Sequence, residues 1–155
     1  MRHLARAVCL TAIVVAALAG CHGLTTPSDA QSQARVFPLT ITRTGGIAGF
    51  RDVLVVNGDG LVSVTRSGRK PRQCRLTAGV TQQLTTAVSS LAWPTATPAT
   101  THATFPDDMV TTMTKPGVGP LRADDPQAGP AGRLVLELVN DINDGPAASL
   151  LCRPL

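Results

Sequence analysis

The chain has 155 residues, 43% of them hydrophobic, with three histidines, four cysteines and no tyrosine. Its formal charge of +4 owes half its value to Arg2 and Arg6, and the remaining chain carries twelve Lys plus Arg against ten Asp plus Glu. So small an excess does not point to nucleic acid, and three histidines, two of them (His3 and His22) near the N-terminus, exclude a histidine-rich zinc site.

The N-terminal stretch MRHLARAVCLTAIVVAALAGC has a charged start and then an uncharged, largely apolar run from Ala7 to Gly20. This is the pattern of an export signal, and it is short for a membrane span. Leu18-Ala19-Gly20-Cys21 resembles a bacterial lipobox, whose cysteine is diacylated and becomes the mature N-terminus. The expectation is therefore a signal peptide at 1–20 and a lipid anchor on Cys21 that holds the protein on the extracytoplasmic face of the cell membrane. Residues 21–34 are polar and read as a flexible tether. Residues 35–155 form one domain, long enough to bury a core. Once Cys9 leaves with the signal and Cys21 takes the lipid, Cys74 and Cys152 remain. In an exported chain that even remainder suggests one disulfide; two separate buried thiols are the other reading.

Along the domain, Val36 to Thr42 partly alternates and predicts a strand, with Pro38 favouring a sheet edge. Further strands are expected at Asp52–Val56 and Leu61–Thr65, joined through Asn57-Gly58-Asp59-Gly60 as a hairpin. Val80, Leu84, Val88 and Leu91 recur three or four apart, predicting a helix from Ala78 to Leu91 with Thr77 as its N-cap. Residues 94–106 form a Pro/Thr loop, followed by a strand at Met109–Thr114 and a short one near Val118–Arg122. A second helix is expected from Arg133 to Asn143, and Ser149–Cys152 returns to the sheet. The predicted class is α+β, a small mainly antiparallel sheet packed against two helices.

The side chains that enzymes need are largely missing, and no catalytic residue, metal site or cofactor is assigned. Only His102 could serve a Ser-His-Asp triad, and no nucleophile elbow exists. Asp107-Asp108 and Asp124-Asp125 are adjacent acids of the kind that cap turns. Asn140 to Gly145 superficially matches a calcium loop, but Ile142 stands at the third ligand position and Leu151 at the closing one. Five cations, Arg66, Arg69, Lys70, Arg72 and Arg75, cluster in RSGRKPRQCR. They form either a solvated turn or a patch for an acidic partner or anionic headgroups.

RTGGIAG, residues 43–49, lacks the spacing of a dinucleotide fingerprint, and β-formers rather than a helix follow it. Its glycines suit a bulge or positive φ between two strands. Arg43-x-Gly45-Gly46-x-Ala48-Gly49 resembles the hallmark of the emfourin-like proteins, small bacterial inhibitors of protealysin-type (thermolysin-family) metalloproteases. The order of later features is similar too: a leucine-containing helix, a Pro-containing loop, Pro106-Asp107 before a strand, and a closing helix. To that pattern this chain adds a signal, a tether and two cysteines. The resemblance implies inhibition by cleft occlusion, a secreted metalloprotease as partner, and no enzymatic activity. A generic cell-envelope interaction module is the alternative. The motif residues, with Arg43 and Phe50 as side chains to test, are either contact surface or turn-formers.

The lipobox reading predicts that Cys21→Ala moves the protein from the membrane fraction to the soluble fraction. An unchanged detergent partition would refute lipidation.

Overall fold

Alternation of apolar and polar residues sets the architecture of this chain. The structure, a computed structural model, describes residues 31, 35–95, 105, 107–143 and 150–155. The expected signal, Cys21, most of the tether and His102 lie outside the described residues. Four strands follow one another as an antiparallel meander: β1 Leu39–Gly45, β2 Phe50–Val56, β3 Leu61–Arg66 and β4 Arg72–Leu76. Helix α1, Ala78–Ser89, then crosses to β5, Met109–Thr114, which pairs with the free side of β1. A two-residue strand, β6 Leu121–Arg122, a 3₁₀ turn at Pro126–Ala128 and helix α2, Gly129–Asn143, come next, and β7, Cys152–Pro154, pairs with β4. The result is a seven-stranded antiparallel sheet in the order β6-β5-β1-β2-β3-β4-β7. With helices α1 and α2 it has the α+β class that the sequence implied.

Leu39, Ile41, Leu54, Val56, Val62, Val64, Cys74, Leu76, Met113, Leu121 and Cys152 are all buried and lie on one face of the sheet. They share the core with Leu84 and Val88 of α1 and with Ala131, Val135, Leu138, Val139 and Ile142 of α2. The opposite face carries Thr40, Thr42, Val53, Val55, Ser63 and Thr112, half-buried β-branched or small residues of the kind strands favour.

Local signals account for the helix ends. Thr77 is extended and its hydroxyl accepts the Val80 N–H at 3.3 Å, capping α1. The Trp93 indole N–H donates to the Val88 carbonyl at 3.3 Å and satisfies part of the other end. At the start of α2, Asp125 accepts the Gln127 N–H at 2.8 Å and caps the 3₁₀ turn. Gly132 passes so close to the turn after β6 that an added Cβ would fall 2.1 Å from the Ala123 carbonyl oxygen.

The structure corrects several sequence expectations. The first strand begins after Pro38 and lies in the middle of the sheet, between β5 and β2. Proline placed before the strand removes no ladder donor, so it imposes no edge position. Arg72–Leu76, read as the tail of a basic turn, is a strand, because Cys74 and Leu76 alternate inward between exposed Gln73 and Arg75. Helix α1 ends at Ser89 rather than Leu91. Helix α2 starts four residues before Arg133, since proline is tolerated in a first helical turn. The return to the sheet is Cys152–Pro154, later than the expected Ser149–Cys152.

Cys74 and Cys152 form a disulfide with their Cα atoms 5.4 Å apart. It ties the three-residue edge strand β7 to β4 across a sequence separation of 78 residues. Reduction, or Cys152→Ala, is expected to lower unfolding stability by about 4 kcal/mol in chain-entropy terms. Chemical denaturation of oxidised and reduced protein measures it, and coincident midpoints would contradict the expectation.

Candidate functional site

On the helix-bearing face, cross-strand rows change character towards one end of the sheet. The row formed by Met113, Ile41, Leu54 and Val64 is buried and apolar. The next row is Thr111, Arg43, Asp52 and Arg66, and the last is Met109, Gly45 and Phe50. Strict alternation thus carries a charged row inward at the point where α2 ends.

Asp52 and Arg66 side chains are each only 13% exposed, with Arg66 Nε 3.9 Å from Asp52 Oδ1. The Arg66 guanidinium donates to the Ile142 carbonyl at 3.1 Å and to Asn143 Oδ1. It thereby places a cation on the carbonyl end of α2, where the helix dipole favours one. Burial pulls the Arg66 pKa below its ordinary value; Asp52 opposes this, while Arg72, Arg69 and Arg43 push the same way as burial. Two donors here, Arg66 Nε and Asn143 Nδ2, are buried with no hydrogen-bond acceptor among the described residues.

Above this row sits the hairpin turn. Gly45, Gly46 and Gly49 have φ of 120°, 71° and 62°, all in the region that L side chains rarely adopt. The Gly49 N–H donates to the Gly46 carbonyl at 2.9 Å, and the Gly46 N–H donates to the Asp108 carbonyl at 3.2 Å. A Cβ on Gly45 would lie 1.9 Å from that same Asp108 oxygen, whereas one on Gly49 would meet nothing within 4 Å. The motif glycines therefore have a backbone role. They nevertheless lift side chains into the open: Ile47 is 93% exposed and Phe50 56%. Phe105, at the β5 end, is exposed as well.

Turn, charged row and helix end enclose a pocket of about 350 Å³. Its floor is Arg43, Asp52 and Arg66; Gly46, Phe50 and Met109 make an apolar wall, and Arg51, Ser67, Arg69 and Asn143 complete the rim. The motif residues Arg43, Gly45, Gly46, Ala48, Gly49 and Phe50 are thus together, and Arg66 and Arg69 of the basic run join them. Lys70 and Arg72 are exposed beside the β3–β4 turn. Arg75 stands apart, 3.5 Å from Asp59 in an exposed ion pair on the other face. The basic run is therefore divided between two surfaces rather than forming one patch.

Of the adjacent acids, Asp108 accepts the Phe105 N–H at 3.1 Å and Asp125 caps the 3₁₀ turn, as their sequence suggested, whereas Asp124 pairs with the Arg122 side chain at 2.6 Å. That pairing raises the Arg122 pKa, chiefly through its hydrogen bond to Asp124, with burial opposing and the Asp124 charge adding to the rise. Asp141, from the failed calcium pattern, accepts N–H groups of Leu150, Leu151 and Cys152 and so holds β7. Among the described residues, no group of three or more His, Cys, Asp or Glu is placed to hold a metal ion, and no helix is long and apolar enough to cross a membrane.

Sequence reasoning missed Ile47, Asp52, Met109 and Asn143. The signal for Asp52 was present, since it lies two residues before inward Leu54 on the same strand. Compared with known protein families, curated proteins and solved structures, the chain matches none.

Gly45→Ala is expected to destabilise the fold by about 2 kcal/mol or more, through both backbone strain and the clash at Asp108. Gly49→Ala should cost roughly 1 kcal/mol, from strain alone. Equal losses for the two variants, read from denaturant midpoints, would contradict the geometry.

Proposed function

We propose that the protein is a membrane-anchored extracytoplasmic binding protein that occludes the cleft of a thermolysin-like metalloprotease with the Gly46–Gly49 turn. The observation that carries this reading is Ile47, 93% exposed at a turn whose backbone is held by three positive-φ glycines. An apolar side chain on a preset backbone loses little conformational freedom on docking, which favours occlusion of a concave partner. Phe50 and Met109 extend the apolar contact, and arginines surround it, a composition enriched at protein interfaces. The resemblance of Arg43-x-Gly45-Gly46-x-Ala48-Gly49 to the emfourin-like inhibitors supplies the partner class.

Orientation supports the same reading. The chain enters the sheet at Leu39, and Gly45 lies at the far end of the same strand, about 20 Å away at strand rise. A lipid on Cys21 would therefore attach the domain by the end opposite the turn, leaving Ile47 free to face a partner. An envelope module that docks another protein through the same turn differs only in its partner.

The test is inhibition of a panel of thermolysin-like proteases by the purified protein. Ile47→Asp is expected to weaken inhibition at least about 100-fold, as loss of an interface anchor does. Being exposed, the substitution should leave thermal stability within about 0.5 kcal/mol of the parent. Inhibition that survives Ile47→Asp would overturn occlusion by this turn, and activity against none of the panel would overturn the protease partner.

A further inference from the structure

The pocket beneath the turn has features that its role as a scaffold leaves unexplained. Three arginines line it from the helix-bearing side, Arg43, Arg66 and Arg69, against the single carboxylate of Asp52, while Arg51 alternates to the other face of β2. A fold gains nothing by assembling like charges around a cavity, since each raises the cost of its neighbours. Two buried donors there, Arg66 Nε and Asn143 Nδ2, lack an acceptor among the described residues, and an unsatisfied buried donor is costly. The ion-pair separation of 3.9 Å from Arg66 Nε to Asp52 is too long to serve as that hydrogen bond. The uncompensated charge would be relieved by an incoming oxyanion.

We propose that this pocket receives an acidic side chain, Glu or Asp, from the protein partner, next to the apolar residue that meets Ile47 and Phe50. The chemistry of the lining selects a carboxylate. Guanidinium groups present a planar fork that matches two carboxylate oxygens. Asp52 already neutralises one charge at the floor and disfavours a dianion. The wall of Phe50, Met109 and Gly46 suits the methylene stem of an acidic side chain. A volume of about 350 Å³ lies at the small end of ligand cavities, enough for a side chain and its neighbour. The inference rests on the hairpin end being the docking surface, but not on the partner being a protease.

The experiment is NMR of the full-length protein in detergent micelles, titrated with N-acetyl-glutamyl-leucine amide, its glutaminyl counterpart and inorganic phosphate. The glutamyl probe is expected to shift the amides of Gly46, Ser67 and Asn143 and the Arg66 Nε–H. Arg43→Gln and Arg69→Gln should each weaken that response about tenfold, as removal of one charge-assisted contact does. Arg75→Gln, on the other face, should leave it unchanged. Arg66 is left intact because it also holds α2. An equal response to the glutaminyl probe, a response to phosphate but not to the glutamyl probe, or no response at these sites would each overturn the proposal. A glutamyl response without protease inhibition keeps the pocket and removes the protease partner; inhibition without a glutamyl response does the reverse.

Discussion

The Arg66 guanidinium is the contact on which this structure turns. It comes from the last position of β3, yet it donates to the Ile142 carbonyl near the end of α2, 76 residues later in sequence, and to the Asn143 side chain. One half-buried cation therefore fixes where the helix ends over the sheet and forms the floor of the cavity beside it. The cost of burying that charge is offset by Asp52 opposite it in the β2–β3 ladder and by the partial negative charge of the helix terminus. Remove Arg66 and two things fail together: Asp52 is left buried without its cation, and α2 loses its anchor at the sheet.

Because that charged row closes the apolar core, the hairpin beyond it is free of core duties. Gly45 lies between two strand partners, Phe50 and Met109, with the Asp108 carbonyl passing over it. The absence of a Cβ lets β5 approach, and the approach in turn holds the turn still. Whether the glycines are structural or part of an interface is thus not a choice between exclusive roles. Their backbone geometry is what presents Ile47 and Phe50.

Much of this was legible in the chain and some was not. Met109–Thr114 and Asn57–Gly60 were readable because alternation and turn chemistry are local. The Thr77 cap was readable for the same reason. The strand Arg72–Leu76 was hidden by its charges, which mask an inward pair, Cys74 and Leu76, that only β3 and β7 complete. The charged row was hidden differently: Arg43, Asp52 and Arg66 come from three strands, and nothing local joins them. Of the basic run, sequence adjacency grouped Arg66 with Arg75, while strand alternation sends them to opposite faces.

The central claim is that the hairpin end of the sheet, and not its broad faces, meets the partner. Hydrogen exchange on the full-length protein with and without an excess of a thermolysin-like metalloprotease, its catalysis blocked, tests it most directly. The account predicts added protection at residues 43–52, 66–70 and 107–109, with the Asn57–Gly60 turn at the other end unchanged. Protection centred on the Asn57–Gly60 turn or on the outer strands β6 and β7, or no protection anywhere, would contradict it.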